Sequence, residues 1–318
     1  MSAATDTLQT EYRALTEGCG LLDRSERGKL ALTGADAAEF LQGQVSNDVE
    51  ALAPGQGCYA AFLTPKGKML GDLRILHLGD ELFLDTERTS LQELFNLIMR
   101  FKLGREVELY KRTLERGLLS LIGPDARAVA GATTLGGAEH DSASAVLGGR
   151  PVRLVATDVG VDVVCDSAYT DEIAAALRTA GAVPVSEAAA EVVRVEHGRP
   201  RYGVDLDDSV IPQEAGLNER AVSFTKGCYV GQETVARLFY RGKPNRRLRG
   251  LRLGAPVERG EPLHFGEREV GRVGSAVVSP VHGPIALALV RREAADGETV
   301  TVGDSGISAT LVDLPFQE

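Results

Sequence analysis

Tryptophan is absent from this sequence, cysteine occurs four times and histidine five, and each scarcity removes a class of chemistry. Cys19, Cys58, Cys165 and Cys228 are widely scattered with no CxxC pair, so neither a disulfide framework nor a paired-cysteine metal or redox motif is written into the chain, and reduced thiols are expected. His77, His140, His197, His264 and His282 show no HExxH or other ligand spacing, and no metal site built by this chain alone is expected. No window approaches about 18 uninterrupted apolar residues, and "MSAATDTLQTEYRALTEG" lacks a basic leader, so neither a membrane span nor export is expected and the protein reads as cytoplasmic. Positive charge is also short: 35 Lys and Arg against 45 Asp and Glu leave a net −10, which argues against a nonspecific nucleic-acid binder.

What remains is a globular profile, 43% hydrophobic and 25% charged, in 318 residues, enough for two or three packed units. The first residues read as a helix with Leu8, Tyr12 and Leu15 on one face, followed by an alternating strand, "GKLALTG". Asp36 with Glu39 has the spacing of a capping box ahead of the next helix. "CYAAFLTPKGKMLGDLRILHLGDELFLDTE" reads as three strands, and "SLQELFNLIMRFKL" as a helix whose apolar stripe is core. "GLLSLIG", "PDARAVAG", "RPVRLVATDVGVDVVCD" and "TDEIAAALRTAG" then predict a strand, a short helix, a hairpin and a helix, with a mobile loop over 136–149. After Arg246 only short strands punctuated by Gly and Pro follow, which predicts a small all-β barrel or sandwich. The mixture is α+β with antiparallel sheets. The domain boundaries read as 1–110, 111–240 and 241–318, the first two open to interleaving and the second carrying the connecting segment "KGCYVGQE".

Three constellations carry chemistry. "SEAAAEVVRVEHG" reads as a helix that places Ala189, Val192, Val193 and Glu196 on one face, with Glu196 in the last turn, where the helix dipole disfavours a carboxylate. Such a group needs a partner: either Arg199 or Arg201 in an ion pair, or the paired N–H donors of a flat heterocycle in a pocket. "KGCYVGQE", residues 226–233, puts Cys228 two residues after Lys226 and just ahead of a helix start, which favours a thiolate. A buried turn thiol is the alternative reading, and no nearby histidine supports a self-sufficient nucleophile. Arg237, Arg241, Lys243, Arg246, Arg247, Arg249 and Arg252 form a run without an acidic residue, either solvated surface or an attractor of ligand carboxylates, an acidic partner protein or RNA. Asp205, Asp207 and Asp208 lack calcium-loop spacing and read as turn formers.

The segments "FLQGQVSNDV", "FLTPKGKMLGDLRIL", "VRVEHGRPRYGVDL", "IPQEAGLNERAVSFTKGCYVGQE" and "GRVGSAVVSPVHGPIALALV" occur in an order that resembles the YgfZ subgroup of the folate-binding proteins related to the glycine cleavage T-protein, with "KGCYVGQETVAR" the subgroup's signature. The resemblance implies three domains around a central opening that holds tetrahydrofolate or a one-carbon derivative. It implies that Glu196 contacts the pterin, with Tyr202 and Gln232 as further folate contacts. It also implies that Cys228 is the functional cysteine, with Lys226 in its motif, and that Asp72 stands near the reactive folate nitrogen, either in a catalytic role or a structural one.

One position departs from the pattern. Where T-proteins carry adjacent aspartates near the reactive folate nitrogen, this sequence reads Gly71–Asp72, and the missing carboxylate lowers the expectation of aminomethyl transfer. The resemblance therefore implies a folate-binding accessory protein for iron–sulfur cluster assembly or repair, in partnership with assembly proteins or client enzymes, including those that modify tRNA. Cys228, activated by Lys226 and the helix end, would contact a cluster, a partner or a one-carbon adduct. A tetrahydrofolate-dependent aminomethyltransferase and a non-catalytic interaction module with a vestigial pocket are the alternatives, and neither membrane attachment nor strong direct nucleic-acid binding is expected.

Overall fold

Leu30, Ala31 and Leu32 are all fully buried, and this explains where the strand Gly28–Thr33 sits. The sequence reading gave it one wet face; instead it lies inside a five-stranded sheet, in the order Gly57–Leu63, Met69–His77, Leu82–Thr86, Gly28–Thr33, Glu108–Lys111. It pairs antiparallel with both neighbours. The computed structural model describes residues 3–304 and 306–317. The chain divides into two compact units, one made of residues up to Thr64, Leu70–Ala190 and Arg220–Val230, the other of Pro65–Met69, Glu191–Glu219 and the residues from Gly231 onward.

The first unit holds that sheet and a six-stranded one, ordered Val183–Pro184, Gly20–Asp23, Arg116–Ile122, Gly160–Asp166, Arg150–Thr157, Ser142–Leu147. Gly20–Asp23, early in the chain, thus joins the later sheet, and its pairing with Val183–Pro184 is parallel. Leu94 and Ile98 of the helix Leu91–Phe101 pack with Leu30, Leu32, Leu73 and Ile75, and Ile173 and Leu177 of Thr170–Thr179 fill the second core. Leu76 and Phe83 meet Leu118, Val155 and Val164 between the sheets. Removing such side chains from water, at roughly 25 cal/mol per Å² of apolar area, is the main driving force for this layering.

Two expectations are corrected here. The stretch predicted as a mobile loop contains the strand Ser142–Leu147, paired along its whole length with Arg150–Thr157. Its first four side chains are Ser and Ala and it lies at the sheet edge with Val146 exposed, so it carries little of the strong apolar alternation that marks a strand in sequence. Asp36 makes no side-chain cap to the helix Ala37–Gln42; its carboxylate accepts the Glu106 amide at 2.9 Å instead.

The first unit also contains a buried ionic chain. Asp85, wholly buried, accepts from Arg27 Nε at 2.8 Å and from Arg74 Nε at 2.7 Å, while Arg74 reaches Asp162 at 2.6 Å and Arg27 reaches Glu87. Burial alone would raise the Asp85 carboxyl; the Arg27 and Arg74 charges outweigh it and hold it well below the usual range.

In the second unit the strands Arg246–Leu253, Gly283–Arg291, Arg268–Ser279, Pro262–Phe265, Thr299–Val302 and Ile307–Val312 form a closed barrel, which decides between the barrel and sandwich readings. Leu251, Leu263, Val273, Ala286, Val300 and Leu311 fill it. No helix of the described residues is long and apolar enough to cross a membrane.

Candidate functional site

Lys226 is nearly buried, and its ammonium donates to the carbonyls of Gln42 (2.5 Å), Val45 (2.8 Å) and Asn47 (2.8 Å). Burial pulls its pKa down to about 8, against the smaller opposing pull of Asp48. All three donors of the ammonium are therefore engaged by backbone. Through these bonds the lysine ties the 226–230 segment to the loop after Ala37–Gln42. The Val230 amide donates to the Gly43 carbonyl at 3.2 Å and the Ser223 amide to Ser46 at 2.9 Å, so the segment is pinned on both sides. Cys228 lies between these anchors and is exposed, whereas Cys19 and Cys165 are buried and Cys58 is half-buried. Burial pushes the Cys19 thiol up to about 11 and Cys58 up to about 12, and raises Cys165 as well.

Asp72, on the strand Met69–His77, is also buried and accepts the Tyr59 hydroxyl at 2.6 Å. Burial raises its carboxyl to about 6, the Tyr59 hydrogen bond opposing. The Arg220 guanidinium stands 5.2 Å over the Tyr59 ring and binds Glu139, next to the buried His140. Burial, reinforced by Arg74 and Arg220, pushes His140 down to about 3, so its imidazole is neutral at physiological pH. Tyr59, Arg220 and His140 escaped the sequence reading because their partners lie far off in the chain.

Next to Asp72, a side chain at position 71 has no room: a Cβ there would lie 2.6 Å from the Phe62 ring and 2.9 Å from Ser90 Cβ. The absent second carboxylate is thus a feature of the packing as well as of the sequence.

The helix Glu187–Glu196, which belongs to the second unit from Glu191 on, ends on Glu196, half-buried, with Val192 and Val193 of the same face buried. The Ser279 hydroxyl donates to Glu196 Oε1 at 2.5 Å and in turn accepts the Val281 and His282 amides at 3.0 and 2.9 Å. The Phe316 amide donates to the Glu196 carbonyl at 2.9 Å. The carboxylate is thereby oriented from the barrel hairpin, which sequence spacing alone does not reveal. Tyr202 is half-buried, with its hydroxyl 3.5 Å from the Met69 carbonyl, and Gln232 opens the helix Gln232–Arg241.

Behind Glu196 on the same helix, Arg194 binds Glu191, the Ser275 hydroxyl and Asp205, the last at 2.9 Å, and Arg201 joins Glu191 at 3.2 Å. Asp205 further accepts the Arg201 and Ser275 amides at 2.9 and 2.7 Å, which makes it a structural clasp. Burial would raise the Glu191 carboxyl, but its Arg194 partner lowers it. Among the described residues no group of three or more His, Cys, Asp or Glu is placed to hold a metal ion.

Residues 1–226 match the GCVT N-terminal domain, and residues 246–317 match the glycine cleavage T-protein C-terminal barrel domain. The chain belongs to the glycine cleavage T-protein family. Among T-protein relatives, an aminomethyltransferase from Rubrobacter xylanophilus is 30% identical over 97% of this chain and 86% of its own length. A putative chloroplastic transferase from Arabidopsis thaliana is 28% identical over 95% of this chain and 72% of its own length. The crystal structure of the glycine cleavage system aminomethyltransferase T from Bartonella henselae superposes with a TM-score of 0.87 at 25% identity, covering 98% of this chain and 90% of that one. The α+β fold with its terminal barrel is therefore that of the T-protein family.

Proposed function

We propose that this T-protein-family chain binds tetrahydrofolate or a one-carbon derivative and serves as an accessory protein for iron–sulfur cluster assembly or repair, acting through Cys228 on assembly proteins or client enzymes in the cytoplasm. The exposure of Cys228 carries this reading, because the other three thiols are buried or half-buried and held protonated by their surroundings. The closed packing around Gly71 supports it by leaving no space for a second carboxylate beside Asp72.

Tetrahydrofolate fits the donor set. Ser279 orients the Glu196 carboxylate, and an oriented carboxylate is the partner that adjacent N–H donors of a pterin require. Glu196 would hold the pterin, with Tyr202 and Gln232 beside it in the reading taken from the family. When bound, the folate supplies a carrier for one-carbon units. Ser279 orients the Glu196 carboxylate, the Tyr59 hydroxyl donates to and fixes the Asp72 carboxylate, and Lys226 fixes the backbone on which Cys228 rides. A single cysteine cannot by itself ligate a four-iron cluster, so a cluster contacts this chain as cargo, in a site shared with a partner.

The aminomethyltransferase name of the Rubrobacter relative favours a second reading, aminomethyl transfer to tetrahydrofolate. One experiment separates the two. In cells lacking the native gene, wild type and Cys228→Ala at matched levels are compared for iron–sulfur enzyme activity, including tRNA modification, and for glycine cleavage. Selective failure of the alanine variant on iron–sulfur enzymes is the expected result. Full restoration by that variant sinks the accessory role, and rescue of glycine cleavage establishes the transferase.

A further inference from the structure

The helix Gln232–Arg241 buries only Val235 fully, and Arg237, Tyr240 and Arg241 all lie exposed along its outer side. Of the basic run that follows, Arg246 is paired with Glu214, Arg249 with Asp296 and Asp313, and Arg252 with the Gln317 carbonyl. Arg237, Arg241, Lys243 and Arg247 are exposed, and none has an ion-pair partner among the described residues. The turn at Gly67 packs on Thr234 so closely that a Cβ would come 2.9 Å from the Thr234 Cβ, and this places the exposed Lys66 beside the same helix.

Two features make this more than a solvated face. Arg237 and Arg241 stand four residues apart, where like charges repel along a helix, and the one acidic residue of that helix, the exposed Glu233, is four residues before Arg237 and eight before Arg241. Beside them Phe239 and Tyr240, exposed by 46% and 66%, pack edge to face with ring centroids 5.0 Å apart. Arginine with tyrosine is the composition of residues that dominate protein–protein binding energy.

We infer that this face docks an acidic segment of a partner protein. A protein segment is favoured over RNA on charge: a polyanion longer than the patch runs onto an otherwise acidic molecule, whereas a short acidic segment can be held by Lys66, Arg237, Arg241, Lys243 and Arg247, which outnumber the exposed Glu233 of the same helix. The two rings, packed on each other edge-on, offer an apolar corner rather than a platform for stacked bases. The inference stands on exposure and charge and is independent of folate and of Cys228.

The full chain is titrated into a fluorescein-labelled peptide of glutamate and alanine, and separately into fluorescein-labelled oligouridine, at low and physiological salt, with anisotropy as the readout. Saturable, salt-sensitive peptide binding is expected, weakened at least about tenfold by Arg237→Glu with Arg241→Glu and unchanged by Arg268→Glu with Arg272→Glu, exposed barrel cations that already have acidic partners. Absence of peptide binding, equal loss in the barrel variant, or tighter binding of oligouridine overturns the proposal. So does self-association in sedimentation that the helix substitutions abolish, because the occupant is then a second copy.

Discussion

The Lys226 ammonium and the Gln42 carbonyl meet at 2.5 Å, and with Val45 and Asn47 they make a lysine the fastener of a backbone loop. Lys226→Met removes all three donors and leaves buried carbonyls unpaired, each at roughly 1 to 3 kcal/mol. A destabilisation of roughly 3 kcal/mol or more in urea titration is expected. Lys226→Arg does not restore it, since a planar guanidinium does not reproduce three diverging donors. A neutral outcome for Lys226→Met would show that the lysine serves reactivity instead.

Asp72 and His140 give opposite pH slopes. The folded-state carboxyl of Asp72, raised to about 6 from 3.8, contributes stability that is full below about 4 and lost as pH rises through 6. Asp72→Asn is therefore expected to melt higher than wild type at pH 7, by up to roughly 3 kcal/mol, with the gap closing toward pH 4. His140, lowered to about 3 from 6.5, contributes stability that is present above 6.5 and lost as pH falls toward 3. His140→Asn, which tolerates the φ of 72° at that position, should flatten the acid limb of the melting curve. Parallel pH profiles for wild type and either variant would disprove the corresponding assignment.

Restoring a carboxylate at position 71 is expected to fail on packing grounds. Gly71→Asp drives its Cβ into the Phe62 ring and should cost about 1 to 3 kcal/mol by thermal melting, without creating aminomethyl transfer. A double variant with Phe62→Ala recovers part of the stability lost to the clash. An undisturbed melting temperature in the single variant would contradict the geometry.

Ser279 orients Glu196 without being exposed enough to be a major ligand contact, being 3% accessible. Ser279→Ala should weaken reduced-folate binding about tenfold, the equivalent of one charge-assisted hydrogen bond. Calorimetry is the suitable readout, because the chain has no tryptophan to report binding. Unchanged affinity would separate the hydroxyl from the ligand site.

Much of the architecture was legible because it rests on periodicity: Leu94 and Ile98, Ile173 and Leu177, and the short strands of the barrel all follow the pattern their burial demands. Ser142–Leu147 was not, since Ser and Ala at a sheet edge bury too little to leave a pattern. Glu196 was legible as a carboxylate on an apolar face, but Ser279, 83 residues away, was not. The backbone contacts of Lys226 were not legible because its partners are carbonyl oxygens, which every residue has and no sequence motif marks. The Arg27–Asp85–Arg74 chain was invisible for the same reason of distance, with 58 residues between its first two members.

The backbone passes between the two compact units at residues 64–65, 69–70, 190–191, 219–220 and 230–231. Dividing the gene between codons 219 and 220 therefore apportions each unit between both fragments. Neither fragment holds a complete unit, and each supplies what the other lacks. Completing either unit from two such fragments requires that both be present.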